Sequence, residues 1–506
     1  MLRSYSRAAL ALCALLPFAA QAQADMAACR YTEVGALPLR YAGPGLHVMT
    51  DGSINGTPAT MLVDTGSPDV VLSSNGVARH KLPLRSTSQT LHGVGGEAAI
   101  YTAQVDSLSA GPVKTGSATV SVVTEFGGTP AFDAIVASRF LLQADMELSL
   151  ATKELRFFRP TGCAERHLAY WDPAAMVIPF EASSKADPNP RFTILVNGQK
   201  MRAMIDSGTR STLIGLKAAQ RAGLKLDAPG VTRVADSGGF GSKHVARWVT
   251  SFDTFQIGDE TVLNAEVGVI DWDGHVDVLL GTDFLRSHRV LFAMGQRKLY
   301  LSHVGGETFS QGRTLEPWIV QEAEAGNPDA QFRLALAYLD GAGVARNPTL
   351  GGSWMDKAAK AGSAAANRRT GRRLMLEGFP AEGAARLRTA LDKLPADGEA
   401  ALWLYLARVR SKQPELAGTE LAASFAHNKD NAWPMPLADF YLGKRSEEAV
   451  LKAAAAQAAT AKTRTCEALT RMSEWHNVHG DLARARTLSE QFKAGCGRPG
   501  SGAGGV

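Results

Sequence analysis

The chain has 506 residues, 45% of them apolar and 20% charged, enough for about three domains with real cores and too hydrophobic for a disordered polymer. Its formal charge of +5 falls to +3 if Arg3 and Arg7 leave with the first 24 residues. No basic block or aromatic-basic interleaving argues for nucleic acid.

Residues 1–24 read as a secretory signal peptide: Arg3 and Arg7 precede an apolar run over 8–20, and small-residue cleavage sites of the A-x-A kind follow. About 13 apolar residues are too few to span a bilayer. The expectation is an exported chain, periplasmic or secreted, with no membrane span once the signal is removed. Cys13 would leave with it, and four cysteines remain: Cys29, Cys163, Cys466 and Cys496. An even number in an exported chain suggests two disulfides, with three possible connectivities. The favoured pairing is Cys29 with Cys163 and Cys466 with Cys496.

After a short lead-in over 25–35, residues 36–158 alternate short apolar runs with Gly, Asp and Asn, the pattern of an all-β lobe. Within it stands M-L-V-D-T-G-S over 61–67. The same grammar returns 142 residues later as M-I-D-S-G-T over 204–209. The surroundings match too. Asn55-Gly56 and Asn197-Gly198 stand at one distance before Asp64 and Asp206, and each reads as a two-residue hairpin turn. Leu37-Pro38-Leu39 is mirrored by Ile178-Pro179-Phe180, and F-D-A-I-V-A over 132–137 by V-D-V-L-L-G over 276–281. An internal duplication of about 140 residues follows, each copy offering one aspartate at one place. Residues 159–190, rich in Pro, link the copies, a helix is predicted over 216–222, and the Gly-rich stretch 303–313 reads as a hinge.

Two carboxylates about 3 Å apart cannot both ionise readily, so they share a proton: one becomes a general base toward water, the other a proton donor toward a carbonyl. This spacing rule has the aspartic proteases as its standard illustration. Gly66 and Gly208 would allow close backbone approach. The hydroxyls of Thr65 and Ser207 could lock the two loops together, and those of Ser67 and Thr209 could hydrogen-bond the carboxylates. Asp133 and Asp277 would satisfy backbone groups at the start of supporting strands.

On these motifs the chain resembles a retropepsin-like aspartic protease with both lobes fused, over roughly 37–301. The resemblance implies catalytic Asp64 and Asp206. It places a flap on His92, Gly93, Val94, Gly95 and Gly96, with a counterpart at Gly238 and Gly239. It needs no cofactor or metal, and it implies a polypeptide substrate. Two departures stand out. Ala137 holds the place of Gly281, where its Cβ would crowd the strand that supports the Asp64 loop, and Arg139 stands opposite Asp283.

From 317 to 495 the grammar changes to Ala, Leu and charged residues at three- and four-residue spacing, which is helical. Gly326 and Gly362 are 36 apart, and Ala330, Leu334, Tyr338, Gly341, Trp354, Ala358 and Ala359 resemble SEL-type repeats, relatives of tetratricopeptide repeats. Such solenoids offer a concave surface to a protein partner. The expected architecture is therefore a signal peptide (1–24), two all-β acid-protease-like lobes (25–160 and 161–303), an α-helical repeat domain (314–496) and a disordered tail (497–506). The expected function is an aspartic endopeptidase, with an inactive peptide-binding adaptor as the alternative.

Overall fold

The computed structural model describes residues 29–497 except 127–128, 182–187, 242–243, 273, 313, 427–431 and 459. The signal peptide and almost all of the expected tail lie outside the described residues. Two β lobes are followed by a run of helices from Pro317–Glu324 to Leu482–Cys496.

Each lobe begins with the hairpin that its Asn-Gly pair announces. In the first, strands His47–Ile54 and Thr57–Asp64 are joined by Asn55 at φ 49° and Gly56 at φ 75°. In the second, Phe192–Val196 and Gln199–Ile205 are joined by Asn197 at φ 47° and Gly198 at φ 74°. Two successive positive φ angles match the right-handed strand twist, so the turn chemistry sets the register that carries each aspartate to its strand end. The short strand Ala134–Ala137 runs parallel to the first of these, with Ala137 opposite Asp64. Val278–Leu280 does the same for Gln199–Ile205.

A six-stranded sheet joins the lobes. Asp145–Ser149 from the first pairs antiparallel with His288–Ala293 from the second, and Glu154–Thr161 and Lys298–His303 flank them. Its outer strands are Arg30–Pro38 and Met176–Pro179, so the mirrored Leu-Pro and Ile-Pro segments occupy equivalent edges. The lead-in is thus a strand rather than a loose arm: proline, lacking an N–H, is tolerated at an edge. The Cys29–Cys163 disulfide closes this edge of the sheet.

Helix Leu216–Arg221 stands where predicted. The stretch expected to be a hinge is instead pinned. Phe309 is buried 4.7 Å from Phe255, Ser310 N–H donates to Asp283, and the Gln311 amide donates to the Thr212 carbonyl. One buried aromatic removes the freedom that glycine content suggests.

The helices start on the β lobes, not beside them. Ile319, Ala323, Ala330 and Leu334 are buried in the same apolar core as the lobes, and Trp318 packs 4.6 Å from Tyr41. Polar contacts fix the seam: Gly43 N–H donates to Asp329 at 2.7 Å, Asn327 to the Tyr41 carbonyl at 2.9 Å, and Ala396 N–H to Asn75 at 2.9 Å. Gly326 and Gly362 both take φ 94°, each followed by a side-chain N-cap, Asn327 and Ser363, so one turn device repeats. Helices Pro328–Asp340 and Pro348–Lys360 pack through Phe332, Ala335, Ala358 and Ala359, while later helices gather around the buried Trp403. The Cys466–Cys496 disulfide ties helix Ala461–Val478 to Leu482–Cys496. No helix among the described residues is long and apolar enough to cross a membrane.

Candidate active site

The aspartate-bearing strand ends are held from behind by a mirrored device. Asp133 accepts from the Thr60 N–H at 2.9 Å and from Arg79 at 2.9 Å; Asp277 accepts from the Arg202 N–H at 3.0 Å and from Arg221 at 2.6 Å. The acids do the backbone work foreseen for them. Their arginine partners went unforeseen, although Arg79 and Arg221 keep the 142-residue spacing.

In front, the two loops grip one another. The Thr65 hydroxyl donates to the Ile205 carbonyl at 2.8 Å and accepts from the Ser207 N–H at 3.1 Å. The Ser207 hydroxyl donates to the Val63 carbonyl at 2.8 Å and accepts from the Thr65 N–H at 3.0 Å. All four bonds are buried, so losing a hydroxyl strands polar backbone groups. Thr65→Val or Ser207→Ala is expected to cost about 1–3 kcal/mol each in denaturant unfolding. A loss below about 0.5 kcal/mol, within the scatter of ordinary surface substitutions, would show the grip to be idle.

With the loops locked, the carboxyls meet within one chain. A Cβ on Gly66 would lie 2.4 Å from Asp206 Cγ, and one on Gly208 would lie 2.5 Å from Asp64 Cγ: each glycine makes room for the opposite acid. The two side chains hydrogen-bond each other. Asp64 also accepts from the N–H groups of Gly66 and Ser67, both at 2.9 Å, and Asp206 from that of Gly208 at 2.9 Å. The Ser67 hydroxyl does not serve the carboxylate as expected but donates to the Asp69 carbonyl at 3.2 Å, and the Thr209 N–H reaches Asp206 from the backbone. The backbone loop geometry supplies these bonds, so no hydroxyl is needed for them.

Burial raises the pKa of Asp64. It raises that of Asp206 further, with the Asp64 charge as the next cause. Each carboxyl is opposed by two backbone N–H donors, Gly66 and Ser67 at Asp64 and Gly208 and Thr209 at Asp206, so the pair holds one proton between them. Ala137 is compatible with this. Its methyl packs among Met49, Leu62, Val71 and Ile135 instead of crowding the loop. Gly281 has no such room, because a Cβ there would lie 2.6 Å from the Ser211 carbonyl carbon. The second asymmetry has a local cause as well: Asp283 is buried, accepting from Thr212 and Phe284, while Arg139 pairs at the surface with Asp69 at 2.6 Å.

Two props were missed in the sequence. Asn189 donates to the Gly66 carbonyl at 3.0 Å, and His47 hydrogen-bonds the backbone of Gly208. They too stand 142 residues apart, so extending the repeat comparison upstream would have found them. Burial, with Arg210 adding to it, lowers the His47 pKa to about 4 and keeps the ring neutral.

Two hairpins arch over the cleft. Strands Arg85–Gly93 and Gly96–Val105 bring Val94 and Gly95 to a tip, which meets the loop between Thr232–Ser237 and Val245–Ile257. A Cβ on Gly95 would lie 2.5 Å from the Phe240 carbonyl, and one on Gly239 3.1 Å from Val94 Cβ. Gly93, Val94, Gly96, Gly238 and Gly239 line the cleft. His92 belongs to the first strand, and its side chain lies outside the described residues. The cleft holds about 1810 Å³, with both aspartates on its wall. The helical region closes part of it through Arg333, Arg368, Asp397, Trp433 and Arg464. Among the described residues, no group of three or more His, Cys, Asp or Glu is placed to hold a metal.

Residues 50–136 and 192–284 match the family model described as aspartyl protease. No curated protein matches the chain. Among solved structures, the aspartic proteinase from Irpex lacteus is matched at 16% identity and a TM-score of 0.35, over 56% of this chain and 100% of that one. The chain thus carries two β lobes that match the aspartyl protease family over residues 50–136 and 192–284, followed by an all-helical region.

Proposed function

We propose that the protein is an exported aspartic endopeptidase in which Asp64 and Asp206 activate a water against a peptide carbonyl. The observation that carries this is the meeting of the two carboxyls across the lobe interface on loops locked by Thr65 and Ser207. Ionised Asp64 takes a proton from the water as it adds to the carbonyl carbon. Protonated Asp206 donates toward the carbonyl oxygen. The tetrahedral intermediate then collapses as a proton passes to the leaving amine, and no covalent enzyme adduct forms. The flap hairpins cover an extended chain, and the helical region walls the cleft and docks a partner or the rest of the substrate. Two disulfides are compatible with a periplasmic or extracellular place.

The test is digestion of an unstructured, casein-like polypeptide by the mature protein, with and without a statine-type inhibitor. Inhibitor-sensitive cleavage supports the reading. Tight inhibitor binding without cleavage would leave a peptide-binding adaptor.

The pH dependence has a definite sign. Activity falls on the acid side as the pair takes up a second proton, and on the alkaline side as it loses the shared one. Both pKa values are raised, so kcat/KM against pH is expected to be bell-shaped with both limbs above the ~3.9 of a free aspartate. An acid limb at or below that value would mean that hydrogen bonds, not burial, dominate.

A further inference from the structure

Three arginines line one part of the cleft. Arg210, four residues after Asp206, is open to cleft water although protein surrounds it. Arg333 enters from helix Pro328–Asp340 and Arg247 from strand Val245–Ile257, and all three line the cavity that holds both aspartates. Arg247 is oriented by Ser211 at 3.1 Å and Gln311 at 2.7 Å, while its Nε is buried with no hydrogen-bond partner. Among the described residues, neither Arg210 nor Arg333 makes an ion pair within 4 Å.

The nearby acids offset this charge only in part, Glu316 toward Arg210 and Arg333 and Asp283 toward Arg247, because each is also held by other partners. Glu316 pairs with Arg286 at 2.8 Å and accepts from the Trp318 indole, and Asp283 is occupied by Thr212 and Phe284. Burial lowers the Arg210 pKa to about 10, with Arg333 and Arg247 adding to it, which still leaves the group charged near neutrality. Three guanidiniums gathered in a cleft repel each other, so their placement is costly for the fold alone. A bound anion reverses that sign. Guanidinium is also the side chain best shaped to hold a carboxylate by two parallel hydrogen bonds.

We propose that Arg210, Arg247 and Arg333 form a carboxylate subsite of the cleft, by which the protein selects polypeptides with an acidic side chain or a free C-terminus near the dyad. The subsite rests on the reading of the cleft as a polypeptide site, and it joins the second lobe to the helical region in substrate choice.

The test measures binding to Asp64→Asn, so that it does not depend on turnover. Fluorescent peptides of one length carry a Glu moved along the chain with an amidated end, or Gln with a free C-terminus, or Gln with an amidated end. At least one carboxylate-bearing peptide is expected to bind about tenfold or more tightly than the uncharged one, and which one does so identifies the source. Adding Arg333→Gln should bring that ratio close to one, and Arg333→Glu should turn the preference toward peptides with Lys in the same position. Arg210→Gln replaces the Arg333 variants if these fail to fold. Equal binding of all the peptides by Asp64→Asn would overturn the subsite, and so would a ratio that survives in the folded arginine variants. An acid preference in binding, with no cleavage by the wild-type chain, would sink the peptidase reading alone; cleavage indifferent to charge would sink the subsite alone.

Discussion

Asp64→Asn or Asp206→Asn is expected to lower kcat by about 10²–10⁴-fold or more while the chain stays folded, the scale for loss of a general acid or base. The amide matches the carboxyl in size, and its oxygen can still accept from Gly66, Ser67 and Gly208 N–H groups, so the loop survives. What disappears is the shared proton: an amide neither takes a proton from water nor holds one for the carbonyl oxygen. Because the two acids act as a unit, the double variant should be little worse than either single one. The measurement is single-turnover cleavage of one peptide by all four proteins, with unfolding curves as the control. Full activity in either single variant would remove the dyad from the mechanism, and two additive losses would show that the acids act separately.

Gly66→Ala or Gly208→Ala should come close to that effect without touching an ionisable group. The new methyl would sit 2.4–2.5 Å from the opposite carboxyl carbon, about 1 Å inside ordinary contact, so the carboxyl has to move. A displacement of about 1 Å at reacting groups costs roughly 100-fold in rate. Overpacking should take about 1–3 kcal/mol from stability as well. Neither glycine has a positive φ, so the effect is steric rather than conformational. Gly116→Ala is the matched control, since a Cβ there meets nothing within 4 Å. Unchanged kcat in Gly66→Ala would mean that the carboxyls tolerate displacement, contrary to the close fit between the loops.

Much of this was legible in the chain because it is local chemistry written twice. The Asn-Gly turns demand positive φ wherever they fall, the alternating apolar runs fix which face of each strand is buried, and equal counts from turn to aspartate carry both acids to equivalent strand ends. The two β lobes and the loop grip of Thr65 and Ser207 could be reached from there, while the helical region came from its three- and four-residue spacing and the favoured disulfide pairing from the even cysteine count. Where reading failed, it failed by treating composition as conformation. The Gly-rich stretch after the second lobe is held by Phe309, and the Ser67 hydroxyl yields to backbone N–H groups that already point at the carboxylate.

The sequence by itself determined that two copies of one unit each present an aspartate, because pattern and turn type act over a few residues and repeat with the unit. Only the tertiary structure decided that the helices wall the cleft and that Arg333 stands by Arg210. Those two residues belong to different domains, and nothing in their neighbourhoods along the chain encodes the other. Their proximity follows from Ile319, Ala323, Ala330 and Leu334 sharing the core of the lobes, a packing outcome set by shape and buried area across the whole interface.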